Sequence, residues 1–83
     1  MKSRGLTKDE MFLVKLFAMA EAAGDISSEH DRYAVGRAVA QNDKSVDNIV
    51  RMLAQTNFIK KGHDNAIFLT PQGVSYVEGL KDR

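Results

Sequence analysis

One amphipathic stretch, residues 43–61 (DKSVDNIVRMLAQTNFIKK), restricts the folds open to this chain more than any other feature. Its apolar side chains recur at three- and four-residue spacing, which places them on one face of an α-helix. These side chains are Val46, Ile49, Val50 and Leu53. Asp43 or Ser45 can cap the helix start, and Asn57 can end it because Asn tolerates the left-handed backbone that closes helices. The sequence therefore predicts a helix that buries one face and exposes the other.

The exposed face of this helix is polar and is suited to contact with base edges in a DNA major groove. Arg can form paired hydrogen bonds with guanine, and Asn or Gln can do so with adenine. The alternative is an ordinary solvated helix face. Asp47 lies in the same surface, where it can accept from cytosine or pair with Arg51 four residues on; we favour the pairing. The candidate DNA-contacting residues of this face are Ser45, Asn48, Arg51 and Gln55.

A β-hairpin is predicted directly after this helix. Residues 58–61 and 66–69 are strand-like, and residues 62–65 (GHDN) form a loop of turn-favouring residues. Lys60, Lys61 and His63 are candidates for phosphate or minor-groove contact. The alternative is that lysines on an exposed edge strand discourage pairing with other chains. Both interpretations can hold together.

Three further helices are predicted, one of them at the start of the chain. Thr7 and Glu10 have the spacing of a capping box, so helix 1 should run to about Ala23 and stop at Gly24. The last helix should start at Thr70-Pro71, because Pro suits the first helical position.

Helix 2 is predicted over about 31–41, with Ser28 as its cap and His30 in its first turn. Gly36 costs about 1 kcal/mol of helix propensity relative to Ala, which indicates close packing against the next helix. The positive side chains of this region could neutralise phosphates of a DNA backbone. They are Arg32, Arg37 and Lys44.

The stretch SVDNIVRMLAQTNFIKKG followed by AIFLTPQGVSYVEGL resembles a winged helix-turn-helix domain. It is similar to the small bacterial and archaeal regulators of the MarR-like, ArsR-like and PadR-like kind, over roughly residues 5–80. The resemblance implies a mainly α fold with a small β-hairpin (α+β), in which a three-helix core carries the hairpin as a wing and a C-terminal helix. The same pattern includes a short first strand, which Ile26 would form. The resemblance also implies double-stranded DNA as the partner and transcriptional regulation as the role. We expect one domain over 1–83, with residues 1–6 loose.

Composition limits the other function classes. The net charge is only +1 and the pI about 8.1, below the value of about 9 that many nucleic-acid-binding domains exceed. The chain has no cysteine, which removes disulfides, thiolate metal ligands and cysteine nucleophiles. His30 and His63 lack metal-ligand spacing, and no nucleophile–base pair or phosphate loop is visible. We therefore expect no enzyme, no metal, no cofactor and no small-molecule ligand.

Helix 1 is apolar over more of its circumference than one small core needs. Val14, Phe17 and Met19 lie at or beyond the edges of its main apolar face, and Tyr76 lies beside the apolar side of the last helix. One interpretation is a central helix buried on several sides. The other is a homodimer interface formed by helix 1 and the C-terminal helix, which would let two subunits read a palindrome.

Two further expectations concern the partner and the compartment. Low net charge, Asp47 and the apolar excess of helix 1 also suit a winged-helix module that binds protein without specific DNA binding, and this is the alternative function. The apolar run 11–20 follows Asp9 and Glu10 and is interrupted by Lys15, which is wrong for a signal peptide, and it is too short to span a bilayer. We expect a cytoplasmic protein with no membrane association.

Overall fold

The computed structural model describes residues 5–81, so residues 1–4 of the expected loose N-terminus lie outside the described residues. The described part of the chain forms four helices and three short strands. In chain order they are α1 (Lys8–Ala22), β1 (His30–Asp31), α2 (Arg32–Ala38), α3 (Asp43–Gln55), β2 (Ile59–Lys61), β3 (Ala66–Leu69) and α4 (Pro71–Lys81). The strands form an antiparallel sheet in the order β1-β3-β2. The expected α+β class, mainly helical with a small hairpin, is confirmed.

The ends of α1 follow the predicted capping signals. The Thr7 hydroxyl oxygen accepts a hydrogen bond from the Glu10 amide at 3.1 Å, and the Glu10 carboxylate accepts one from the Thr7 amide at 3.0 Å. Gly24 has φ of +82° and closes the other end, where the Asp25 amide reaches back to the Ala20 carbonyl. These bonds satisfy backbone groups that the helix itself leaves without partners.

Helix α2 is shorter at both ends than predicted, and Ser28 does not cap it. Asp31 is the N-cap, and its carboxylate accepts a bond from the Tyr33 amide. Ala40 takes a left-handed conformation with φ of +60°, and the Gln41 amide bonds the Gly36 carbonyl. That reverse bond ends the helix at Ala38 because it takes the carbonyl that the next helical turn would use.

The first strand is not at Ile26, and His30 is not helical. Ile26 lies in a turn, whereas His30 pairs with Ile67 of β3 and its Nε2 lies 2.7 Å from the Ser28 hydroxyl. The turn before the strand is set by Asp25, whose carboxylate accepts bonds from the amide and hydroxyl of Ser27 and whose pKa is thereby lowered. This local turn occupies the residues that were expected to form a strand.

Helix α3 begins one residue earlier than its predicted caps allowed. Asn42 is the N-cap, since its side-chain oxygen accepts a bond from the Ser45 amide at 2.9 Å. Asn57 has φ of +66° and ends the helix as predicted, with the Phe58 amide bonded to the Leu53 carbonyl. The four apolar side chains predicted for the buried face are all buried.

Two residues, Gly36 and Thr70, allow α3 to pack closely against α2 and link its end to α4. Gly36 of α2 is buried, and a Cβ added there would meet the side chain of Val46, which confirms the packing reason for this glycine. Thr70 caps α4 as predicted: its hydroxyl oxygen accepts from the Gly73 amide at 3.0 Å and its hydroxyl donates to the Asn57 carbonyl at 2.6 Å. The end of α3 and the start of α4 are therefore joined through one buried threonine.

One core of buried side chains from α1, α2, α3, the sheet and α4 holds these elements together. Phe17 belongs to this core and is 5% exposed, and the Lys81 ammonium lies 4.7 Å from the centre of its ring. Val14 and Met19 are partly buried against the same core. Tyr76 stacks on Phe58 with ring centres 4.6 Å apart. Other parts of the chain therefore cover much of the apolar surface of α1 that lies outside its main apolar face.

Among the residues 5–81, no helix is both long enough and apolar enough to cross a membrane.

Candidate nucleic-acid interface

Four polar residues form a continuous line along the exposed face of α3. Their spacing of three or four residues places them on adjacent turns of one helix face. We call this line the polar stripe: Lys44, Asn48, Arg51 and Gln55, all of them exposed. Ser45 is half-buried beside the stripe, where its amide is held by the Asn42 cap. The stripe is thus a solvent-facing row of donors and acceptors on a helix whose opposite face is fixed in the core.

Asp47 does not pair with Arg51, and this expectation was wrong. Its carboxylate instead accepts a hydrogen bond of 2.8 Å from the Tyr33 hydroxyl and lies 3.7 Å from the Arg32 guanidinium. The bond to the carboxylate raises the pKa of Tyr33, because it favours the protonated phenol. In the described chain Arg51 has no ion-pair partner within 4 Å, so its guanidinium is available to a ligand.

Arg32 joins α2, α3 and the hairpin rather than facing solvent. Its side chain is 12% exposed, and its Nε donates to the Asn65 carbonyl at 3.1 Å while its guanidinium lies against Asp47. The Arg32 amide donates to the same Asn65 carbonyl at 3.0 Å. The sequence placed Arg32 among the phosphate-neutralising cations, whereas the structure gives its guanidinium two partners within the chain.

The hairpin (residues 59–69) presents its basic residues to solvent. Lys60 and Lys61 on β2 are both exposed, and His63 in the loop is 94% exposed. Glu29 accepts a bond of 3.3 Å from the His63 amide and lies 3.5 Å from the His63 imidazole, with its carboxylate packed over Gly62. This acid lowers the positive potential at the hairpin loop, which the sequence pattern did not indicate.

The remaining basic candidates lie at the two sides of the turn between α2 and α3. Arg37 is exposed in the last turn of α2, and Lys44 is exposed in the first turn of α3. Both cations are accessible to a polyanion. Of the predicted basic site residues, Arg32 alone is largely withdrawn from solvent.

Two residues of this surface were missed by the sequence interpretation. Neither Tyr33 nor Glu29 was among the predicted site residues. Tyr33 meets Asp47 across 14 positions and Glu29 meets His63 across 34, so both contacts depend on the tertiary fold. The alternation of polar and apolar residues carries no signal for such pairs.

A shallow apolar groove of about 280 Å³ lies on another part of the surface, where the start of α1 meets the end of α3. Leu13, Leu53, Phe58 and Tyr76 line it, together with Met52, which is 53% exposed. Asp9 and Glu10 also line it. Such a groove is an exposed apolar surface that touches α3 outside the polar stripe.

Within residues 5–81 there is no group of three or more His, Cys, Asp or Glu side chains arranged to hold a metal ion. Comparison with models of known protein families finds no match to this chain, and a search of curated proteins likewise finds no similar sequence. The interpretation of the surface therefore depends on its own residues and geometry.

Proposed function

We propose that this chain is a winged helix-turn-helix domain that binds double-stranded DNA sequence-specifically and regulates transcription. In this proposal α3 is the recognition helix and the hairpin is the wing. The observation that carries the proposal is the polar stripe: a row of exposed Lys, Asn, Arg and Gln side chains on a helix anchored by its opposite face. Those are the side chains that read base edges in a major groove.

The order of elements supports the same proposal. A helix, a short strand, two helices joined by a short turn, a hairpin and a last helix follow one another, and the first strand adds to the hairpin next to β3. This arrangement is the one expected of a winged helix, and Arg32 keeps the hairpin loop beside α3 through Asn65. One duplex could then meet α3 in a groove and the hairpin along the adjacent backbone.

The role of each residue follows from its chemistry. Arg51 would bind guanine, and Asn48 or Gln55 would bind adenine, each through paired hydrogen bonds. Ser45 would bond a base edge or a phosphate. The positive residues around the stripe would neutralise phosphates and set the register of the protein on the duplex. These residues are Arg37, Lys44, Lys60, Lys61 and His63.

The experiment that tests the proposal is a binding assay with a random-sequence duplex pool. Fluorescence anisotropy at low salt should show association that weakens linearly in log salt, with a slope of about −0.9 per phosphate contacted. Selection from the pool should then enrich one sequence. Absence of association at low salt would contradict the proposal.

A second candidate function is favoured by the apolar groove. An exposed methionine over aromatic and leucine side chains is typical of surfaces that bind protein segments. In that case the chain is a winged-helix interaction module and its DNA affinity is negligible. Retention on heparin at low salt separates the two, since only a polyanion-binding surface should be retained.

A further inference from the structure

We propose that Arg32 and Asp47 are positioning residues, which fix the hairpin loop relative to α3 and thereby set DNA sequence preference without contacting DNA themselves. The inference rests on the proposed DNA-binding function for its effect on sequence preference. The linkage between the hairpin and α3 can be tested without DNA.

The linkage begins with the position of Arg32 in the fold. It is the first residue of α2, directly after β1, and both its amide and its Nε donate to the Asn65 carbonyl, at 3.0 and 3.1 Å. Asn65 ends the hairpin loop, immediately before β3 begins at Ala66. The Asn65 carbonyl of the hairpin therefore accepts two hydrogen bonds from a single residue, Arg32.

The other end of the linkage is on α3. The Arg32 guanidinium lies 3.7 Å from the Asp47 carboxylate, which also accepts the Tyr33 hydroxyl at 2.8 Å. The guanidinium of Arg32 and the hydroxyl of Tyr33, two consecutive residues of α2, thus both contact the Asp47 carboxylate of α3. Asp47 is one residue before Asn48 of the polar stripe, so its position and that of the stripe are fixed together.

Burial distinguishes Arg32 from a phosphate contact. With its side chain 12% exposed, the guanidinium would have to leave both Asn65 and Asp47 to reach a ligand. Asp47 is 49% exposed and would keep the Tyr33 hydroxyl as a donor, so the burial of the Arg32 side chain and its bond to Asn65 are what oppose this movement. The planar guanidinium can serve a carbonyl and a carboxylate at once, which a lysine ammonium on a flexible stem does less well.

Asp47 provides a test in which positioning and simple electrostatics predict different results for sequence preference. Removing a negative charge from a DNA-facing surface should strengthen binding to every duplex. If Asp47 positions the hairpin, Asp47→Ala should instead reduce the preference for the selected duplex over a scrambled one. Asp43→Ala is the matched control, because it removes the same charge one turn earlier on α3 and its carboxylate has no contact with Arg32 within 4 Å.

The first measurement is amide hydrogen exchange in the free protein, followed by NMR. Asp47→Ala and Arg32→Lys should each speed exchange of the backbone amide of residue 32 at least about threefold, whereas Asp43→Ala should not. Combining the two changes should add little to either one, because both break the same linkage. Unchanged exchange in both single variants would overturn the linkage.

The second measurement is the ratio of dissociation constants for scrambled and selected duplexes. We expect Asp47→Ala and Arg32→Lys to lower this ratio at least about threefold, and Asp43→Ala to leave it unchanged while tightening both affinities. A ratio unchanged in Asp47→Ala would overturn the positioning role. If the wild-type protein binds no duplex, the proposed function fails and the effect on preference fails with it, whereas the exchange measurement still decides the linkage.

Discussion

The hydroxyl of Tyr33 donates a hydrogen bond of 2.8 Å to the carboxylate of Asp47, which ties the start of α2 to the exposed face of α3. About one turn further along α2, buried Gly36 lets α2 approach Val46, the residue before Asp47, closely. The two contacts fix α3 from its solvent side and from its core side. The orientation of the polar stripe depends on both.

The first prediction concerns the ionisation of Tyr33. Its pKa is raised above the ordinary 10.0 chiefly by the bond to Asp47, so Asp47→Ala should lower it. Because the folded-state pKa is the higher one, the stabilisation is complete below about pH 10 and is lost as pH rises through the raised pKa. An NMR titration of the two tyrosines checks this. Equal Tyr33 pKa values in wild type and Asp47→Ala would contradict it.

The second prediction concerns the packing of α2 on α3. Gly36→Ala gains about 1 kcal/mol of helix propensity, but its new methyl group overlaps the Val46 side chain, and overpacking costs about 1–3 kcal/mol. We expect a net loss of stability in urea unfolding. Val46 is fully buried, so Val46→Ala should itself be destabilising, but the combination of both changes should lose less stability than the sum of the two single losses, since the colliding atoms are gone.

Gly79→Ala is the control for this comparison. Gly79 lies in α4, and a Cβ added there would meet no atom within 4 Å. The same substitution should therefore stabilise the protein by about 0.5–1 kcal/mol. If both alanine variants shift the free energy of unfolding in the same direction, the close approach of α2 and α3 is not the cause.

The sequence sufficed for features that are local in the chain. The capping box of Thr7 and Glu10, the left-handed end at Asn57 and the Thr70 cap are each specified by residues within a few positions, and all were predicted. The apolar face of α3 was predicted because its spacing directly sets which side chains enter the core.

Features that depend on which of several candidate partners a side chain bonds were not predicted. Ser28, Asp31 and Asn42 can all act as caps, and sequence alone did not show that Ser28 would bond His30 instead. The partner of Asp47 was predicted wrongly because the helical neighbour Arg51 was weighed without the tertiary neighbour Arg32. Long-range contacts of this kind decide which charges of the candidate interface remain free.

The third prediction concerns Arg51. If its guanidinium reads a base, Arg51→Ala should keep the fold and cost about 1–3 kcal/mol of specific binding. Arg51→Lys keeps the charge but cannot form the paired hydrogen bonds, so it should lose sequence preference while retaining most affinity for random duplex. A binding assay on selected and scrambled duplexes measures both. Unchanged affinity and preference in both variants would reject the role.

The fourth prediction concerns the hairpin. Replacing Lys60 and Lys61 with Gln should weaken binding to all sequences and reduce the salt slope by about 1 for each phosphate that the variant no longer neutralises. Lys8→Gln removes an exposed positive charge from the start of α1 and serves as the comparison. A weakening restricted to one sequence, or an unchanged slope, would mean that the hairpin does not bind phosphates.

The fifth prediction concerns the homodimer. Phe17 and Tyr76 are engaged within the chain, so an interface through α1 and α4 would have to use other apolar side chains of α1, namely the partly buried Val14 and Met19 or the exposed Met11. A two-fold dimer should place two recognition helices about 34 Å apart, one turn of DNA. Sedimentation velocity at micromolar concentration measures the state. A protein that remains monomeric both alone and with a palindromic duplex would contradict the homodimer prediction.

The central claim is tested most directly by an NMR titration of the labelled protein with a duplex selected from the random pool. We predict that amide and side-chain shifts change along the polar stripe and the hairpin, with Arg51 and Lys60 among the most affected. The groove around Met52 should be little perturbed. Shift changes confined to that groove, or none at low salt with the duplex in excess, would contradict DNA binding through α3.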